Sequence, residues 1–220
     1  MDSRHIVALG ARPDQSMLDH IAGLTSVRNV LWAGTAHNED PGFALLMYER
    51  LRRYGNVSFL RFHPWPPEDL RAFTLEHDLV VVGGGNTANM LAIWRVHGFD
   101  AILRDAWESG IVLAGWSAGM ICWFDAGVTD SFGPQLVGMR DGLGFLPGSA
   151  CPHYDGEELR RPVYRRLVSE ERFPAGIAAD DAAGVHFAGT ELHEVVATAP
   201  EARAYRVTPE GEEPLASRLL

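Results

Sequence analysis

Cysteine is nearly absent from this sequence: Cys122 and Cys151 are the only two, and they form no CxxC pair. That excludes a disulfide framework and a cysteine-based metal knuckle. No apolar run approaches the roughly 20 residues of a bilayer-spanning helix, and Met1-Asp2-Ser3-Arg4-His5 has no apolar leader core. Positive charge is also short, with 19 Lys and Arg against 29 Asp and Glu, a formal net charge of -10. Nucleic acid is therefore not expected as the main partner, because phosphate binding calls for basic surface. No linker or repeat divides the 220 residues, so one domain over 1–220 is expected. These absences point to a reduced, cytoplasmic protein without a membrane partner. The apolar fraction of 46% is enough for a folded core.

What is present is alternation. Ile6–Leu9, Val30–Ala33, Val57–Phe62, Leu79–Val82 and Ile111–Ala114 are short apolar runs of strand type. Leu79-Val80-Val81-Val82 is wholly apolar and stops at three glycines, as a strand buried on both faces does. Helical patterns lie between them: Ala44–Tyr54 before Gly55, a start at Pro66-Pro67-Glu68-Asp69, then Asn89–His97 and Phe99–Ser109. This order predicts an α/β protein with a mostly parallel sheet covered by helices on both faces. After Pro174, Ala183–Phe187, Leu192–Thr198 and Ala202–Val207 are closely spaced strand patterns, read as an antiparallel extension of that sheet.

Chemistry enters at Gly115-Trp116-Ser117-Ala118-Gly119. A serine between a buried strand and an apolar helix is held out on a sharp turn, and flanking glycines relieve the crowding. The N–H of Ala118 then faces the place where an oxyanion forms, with a helix start behind it. The plain alternative is close packing at the glycines with Ser117 as a helix cap. A second glycine run, Gly83-Gly84-Gly85-Asn86-Thr87, follows the buried strand. It matches neither GxGxxG nor a P-loop. Its N–H groups suit an anion cradle or, from Gly84 or Gly85, the second donor facing Ser117. Asn86 is read as a substrate contact or a helix cap.

Of nine histidines, His153 in Ala150-Cys151-Pro152-His153-Tyr154-Asp155 has the turn-like setting of a catalytic base. His186 and His193 lie in strand patterns and read as packing or surface residues. His5, His20, His37, His63, His77 and His97 have no distinguishing context. Cys122 falls inside the helix after the turn, where burial is expected rather than reactivity.

Taken in order, Gly83–Thr87, Gly115–Gly119 and Pro152-His153 resemble peptidase family S51, which includes peptidase E and the cyanophycinases. The resemblance is good over residues 79–187 and looser over the N-terminal third. It implies a three-layer αβα sandwich like that of class I glutamine amidotransferases, with serine in place of their cysteine. It also implies that Ser117 is the nucleophile and His153 the general base. Two acids compete for the third role. Asp130 is nearest to the aspartate that follows the nucleophile helix in peptidase E, and Asp180 stands where cyanophycinase-like members carry a glutamate. Asp125, Asp155 and Glu157 are weaker choices.

The same resemblance raises the matter of specificity. Peptidase E holds the N-terminal aspartate of its dipeptides with an arginine after the histidine. Here Leu159 occupies that position, and Arg160 and Arg161 follow. Arg160 is kept as the substrate-binding candidate, although a shift of one residue turns a helical side chain by about 100°. The expectation is thus a serine peptidase of dipeptides or short peptides, not strictly specific for Asp-Xaa, working through an acyl-enzyme with no metal or organic cofactor. A small peptide is the expected partner, and a homodimer is left open. The competing readings are a non-catalytic ligand-binding module of the same fold and an esterase of α/β-hydrolase type.

Overall fold

In the computed structural model, which describes residues 4–220, the alternating pattern builds an eight-stranded sheet. Met1, Asp2 and Ser3, part of the N-terminal segment read above, lie outside the described residues. Five parallel strands form the centre of this sheet: β1 (His5–Leu9), β2 (Asn29–Ala33), β3 (Asn56–Leu60), β4 (Leu79–Val82) and β5 (Val112–Trp116). They lie side by side in the order β3-β2-β4-β5-β1. The antiparallel extension is there as well. β10 (Ala183–Ala188) pairs antiparallel with β1 and β11 (Glu191–Ala197) antiparallel with β10, while β14 (Ser217–Leu219) closes the edge parallel to β11.

Alternation along each strand divides the core. Val7 and Leu9 of β1, Trp32 of β2 and Val81 of β4 face one side, where α1 (Gln15–Ala22) and α2 (Pro41–Leu51) cover them with Met17, Leu18, Ile21 and Met47. Ile6, Ala8, Val80 and Val82 face the other side, against α4 (Thr87–Val96) and α5 (Phe99–Glu108) with Trp94, Leu103 and Trp107. Every residue of β4 is at most 1% exposed. Each such aliphatic side chain contributes roughly 1.5–3 kcal/mol relative to an exposed one, which is why so short a strand holds the centre of the sheet.

Aspartates set where the helices begin. The side chains of Asp14 and Asp40 accept the N–H of Met17 and Phe43, so α2 starts earlier than its apolar pattern suggests, with Pro41 in its first turn. Asp69 caps Ala72, so α3 (Leu70–Leu75) begins after the Pro66–Asp69 segment rather than within it.

A second sheet carries the rest of the chain. It comprises β6 (Phe124–Thr129), β7 (Val137–Met139), β8 (Leu146–Cys151), β9 (Gly176–Ala179), β12 (Ala204–Thr208) and β13 (Gly211–Pro214). Its central strands β6, β8 and β9 are parallel, and α7 (Arg160–Ser169) packs on it through Tyr164, Leu167 and Val168. The strand pattern at Ala202–Val207 therefore joins β9 in this second sheet, not β10 and β11 in the first. The chain passes from one sheet to the other between β9 and β10, through Asp180-Asp181-Ala182. No described helix is long and apolar enough to cross a membrane.

Candidate active site

Ser117 stands where β5 turns into α6 (Ala118–Ile121), with φ 54° and ψ -112°. A non-glycine residue held there costs on the order of 1–3 kcal/mol, so its surroundings must impose the shape. They do so through the backbone. Ser117 N–H donates to the Leu9 carbonyl at 3.2 Å, and its own carbonyl accepts from Met120 and Ile121 at 2.9 and 3.0 Å. The flanking glycines are required by close approach. A Cβ on Gly115 would lie 2.5 Å from the Gly119 carbonyl oxygen, and one on Gly119 would lie 2.5 Å from that of Val82. The Ser117 side chain makes no capping bond to α6, which removes the helix-cap explanation.

The helix is shorter than the apolar run suggests. After one turn it ends at Cys122, and the chain enters β6. So short a helix has little macrodipole, and stabilisation of an anion falls to individual N–H groups. That of Ala118 is the first of α6 and has no intrahelical acceptor. Gly84 lies directly against the serine: a Cβ there would be 3.1 Å from Ser117 Cβ and 2.9 Å from Trp116 Nε1. Among the described residues neither Gly84 nor Gly85 donates its N–H to a backbone carbonyl. Asn86 is engaged at both ends of its amide. Its Oδ1 caps Asn89 at 2.8 Å and its Nδ2 donates to the Ser131 carbonyl at 2.9 Å. It therefore fixes the glycine loop against residues 129–131, as a helix cap and a loop tether.

His153 follows β8 and is the second residue here with positive φ, again 54°. Its Nδ1 lies 2.7 Å from Asp181 Oδ1. A carboxylate at Nδ1 fixes the proton there and leaves Nε2 as the basic atom. Asp181 is held in turn, since its N–H donates to Asp155 Oδ1 at 2.8 Å. Gly156 sits so close that a Cβ would come within 2.3 Å of Asp181 Oδ2. Tyr154 N–H, donating to the Ala179 carbonyl at 3.1 Å, ties the histidine turn to the end of β9.

The end of β1 joins this unit to the serine turn. Leu9 accepts from Ser117, and Gly10 N–H donates to the Ala183 carbonyl at 3.0 Å, just past Asp181. The Ser117 turn and the segment that follows Asp181 are thus both tied to the same end of β1, through Leu9 and Gly10.

The carboxylate on His153 is neither of the two expected. Asp180 is buried with its side chain turned away, and its Oδ2 accepts the Arg203 N–H at 2.8 Å. Burial pushes its pKa up to about 6, against the lowering effect of that hydrogen bond. Asp130 is exposed, and its carbonyl closes a turn with Gly133 N–H. Asp181 follows Asp180 in a tight turn closed by Ala183 N–H on the Asp180 carbonyl at 2.9 Å, and it is this second acid that faces His153. The paired acids were a visible signal, but their orientation was not.

Arg160 is also committed elsewhere. It is 3% exposed, with Nε on Glu157 Oε2 and Nη1 on the Val128 carbonyl, each at 2.7 Å. It anchors the start of α7 to β6, so the guanidinium is not presented to a substrate. Leu159 is 62% exposed. Arg12, which sequence reasoning missed, is exposed beside the site. Its guanidinium lies 5.9 Å from the Phe43 ring, and that ring packs against Trp116 next to the serine. Arg12 and Asp181 line one groove of about 220 Å³ with Leu9 and Met17. Cys122 is fully buried, and burial raises its thiol well above the usual range, so it stays unreactive.

Comparison with known proteins bears on the family and the fold. A profile described as peptidase family S51 matches residues 10–195. The uncharacterized peptidase YgaJ of Bacillus subtilis (strain 168) is 42% identical over 213 residues, covering 93% of this chain and 92% of its own. Among solved structures, a Listeria monocytogenes EGD-e protein described as a candidate peptidase E superposes with a TM-score of 0.66 at 16% identity, covering 86% of this chain and 96% of its own. A peptidase from an acI-B1 actinobacterium gives 0.67 at 16% identity, over 97% and 94%. At such identities the two structures speak for the α/β fold, while the profile and the close relative speak for kinship. On those two matches, this chain belongs to peptidase family S51.

Proposed function

We propose that the protein is a serine peptidase that hydrolyses dipeptides or short peptides through an acyl-enzyme. The observation that carries this reading is the backbone of Ser117. A serine forced to φ 54° between two obligatory glycines, without a capping role, is explained by the need to present its hydroxyl. The His153–Asp181 pair supplies the base and its orienting carboxylate.

In the proposed reaction Ser117 Oγ attacks the scissile carbonyl carbon while His153 Nε2 takes the hydroxyl proton. The N–H groups of Ala118 and of Gly84 or Gly85 hold the oxyanion. His153 then gives the proton to the departing amine, the C–N bond breaks and an ester to Ser117 remains. Water, deprotonated by the same histidine, splits that ester and frees the acid. Asp181 stabilises the imidazolium throughout and stays ionised. No step calls on a metal or an organic cofactor.

A small peptide is the substrate of this reading, with a preference broader than Asp-Xaa because Arg160 is buried and Leu159 stands in the corresponding place. Arg12 is the exposed cation beside the groove that could meet a peptide carboxylate. Two buried free thiols suit a reducing compartment, and a cytoplasmic location belongs to the same reading. The test is kinetic. Ser117→Ala should lower dipeptide turnover by roughly 10³-fold or more with unchanged circular dichroism. Retained turnover would overturn the assignment, and a dipeptide panel with acidic and uncharged first residues would define the preference.

A further inference from the structure

Away from the serine turn, four histidines and a glutamate gather on the face of the first sheet that α1 covers. His5 opens β1, four residues and so about 13 Å from the Leu9 end that touches Ser117. His186 lies in β10, His193 and Glu194 lie in β11, and His20 reaches in from α1. We propose that His20, His186 and Glu194 form a site for one borderline divalent transition-metal ion of the zinc class, which ties α1 to the β10–β11 hairpin.

Unmet bonding capacity is the first argument. His186 is 2% exposed, and its Nδ1 has no hydrogen-bond partner; neither has the equally buried Nε2 of His20. Each lies 3.8 Å from the same oxygen, Glu194 Oε1. All three ligand atoms fall within 4.8 Å of one another. Bond lengths of 2.0–2.2 Å in a tetrahedral zinc site place ligand atoms about 3.4 Å apart, so small side-chain rotations bring these three to an ion. Leaving a buried polar atom unpaired costs about 1–3 kcal/mol, and one cation would satisfy both imidazoles.

The local backbone supports the same site. His186 pairs with Glu194 but Phe187 pairs with Leu192, so His193 is the extra residue of a β-bulge. A bulge re-aims the side chains around it, and here the His193 ring ends 5.0 Å from that of His186. Outer contacts orient the ligands, as in metal sites generally. His186 Nε2 lies 3.0 Å from His5 Nδ1, which leaves Nδ1 to face Glu194. Arg218 occupies the other glutamate oxygen through Nε and Nη2, at 3.0 and 2.9 Å. That guanidinium opposes a cation, and the Glu194 carboxylate offsets it. Two nitrogens and one carboxylate leave a fourth position for water, a donor set that suits zinc, nickel or cobalt over magnesium or calcium.

The test uses the full-length protein stripped with a chelator. Titration with zinc chloride by calorimetry should give one ion per chain and raise the thermal midpoint. Cobalt(II) should give visible d–d bands with nitrogen ligation. His20→Gln and Glu194→Gln, the latter at a partly exposed side chain, should each weaken binding at least about tenfold and abolish the thermal shift. Peptide hydrolysis should be unchanged in both. No stoichiometric binding by the wild type would overturn the proposal. So would equal binding by both variants, which would place the ion on exposed histidines such as His37 or His63.

Discussion

His153 and His186 each face a carboxylate, the first from a turn at a strand end and the second from inside a strand. His153 is held at positive φ, half-buried, with exposed Asp181 on Nδ1. His186 is sealed among His5, His20 and His193, and burial keeps it neutral. On the proposed function, the contrast separates a histidine placed to exchange protons with a substrate from one held neutral by burial. Backbone strain marks the first and burial marks the second.

Exchanging the two roles by mutation gives the largest expected effects. His153→Ala should reduce peptide hydrolysis by roughly 10³-fold or more while leaving the unfolding midpoint nearly unchanged. His186→Gln should do the reverse, costing about 1–3 kcal/mol of stability with kcat within a few-fold of wild type. Matched kinetics and denaturant titrations on both variants check this. If His186→Gln abolished catalysis while still folded, the division of roles would fail.

Arg160 sharpens the comparison next, because it was expected at the substrate and is found in the core. Arg160→Leu removes the partner of the Val128 carbonyl and of Glu157, and should cost about 1–3 kcal/mol. KM for acidic and neutral dipeptides should change in parallel. A selective rise in KM for Asp-Xaa peptides would return Arg160 to the substrate.

Asp180 gives an effect confined to a narrow pH range, with a defined sign. Its folded-state pKa, raised to about 6 by burial, lies above the ordinary aspartate value of 3.8. Between those values the folded state binds more protons than the unfolded chain, so this residue makes stability fall as pH rises. Asp180→Asn, which keeps an acceptor for Arg203, should remove that slope. The difference from wild type should grow between pH 4 and pH 6 to about 1–3 kcal/mol, read from urea titrations across pH. An identical slope in both proteins would count against the buried placement of the carboxylate.

The sequence made some of these regions far more legible than others. The five parallel strands were visible because strands buried on both faces are short apolar runs stopped by glycine, as at Leu79–Gly83. The second sheet was hidden. Phe124–Thr129 and Leu146–Cys151 are broken by Asp125, Gly127, Pro147 and Gly148, so no apolar period stands out. β12 was seen as a strand but given to the wrong sheet, since strand patterns do not encode partners. Ser117 was singled out by its glycine-flanked turn, and His153 by its turn setting together with the family resemblance. Asp181 was missed because facing is decided by the β9–β10 crossover, and the His20–His186–Glu194 group because its members come from three elements.

The most direct test of the central account compares Asp130→Asn, Asp180→Asn and Asp181→Asn by kcat/KM on one good dipeptide substrate. The account predicts a loss of about 10²- to 10⁴-fold for Asp181→Asn, with the other two within a few-fold of wild type. Near-normal activity in Asp181→Asn, with the large loss at Asp130 or Asp180 instead, would contradict it.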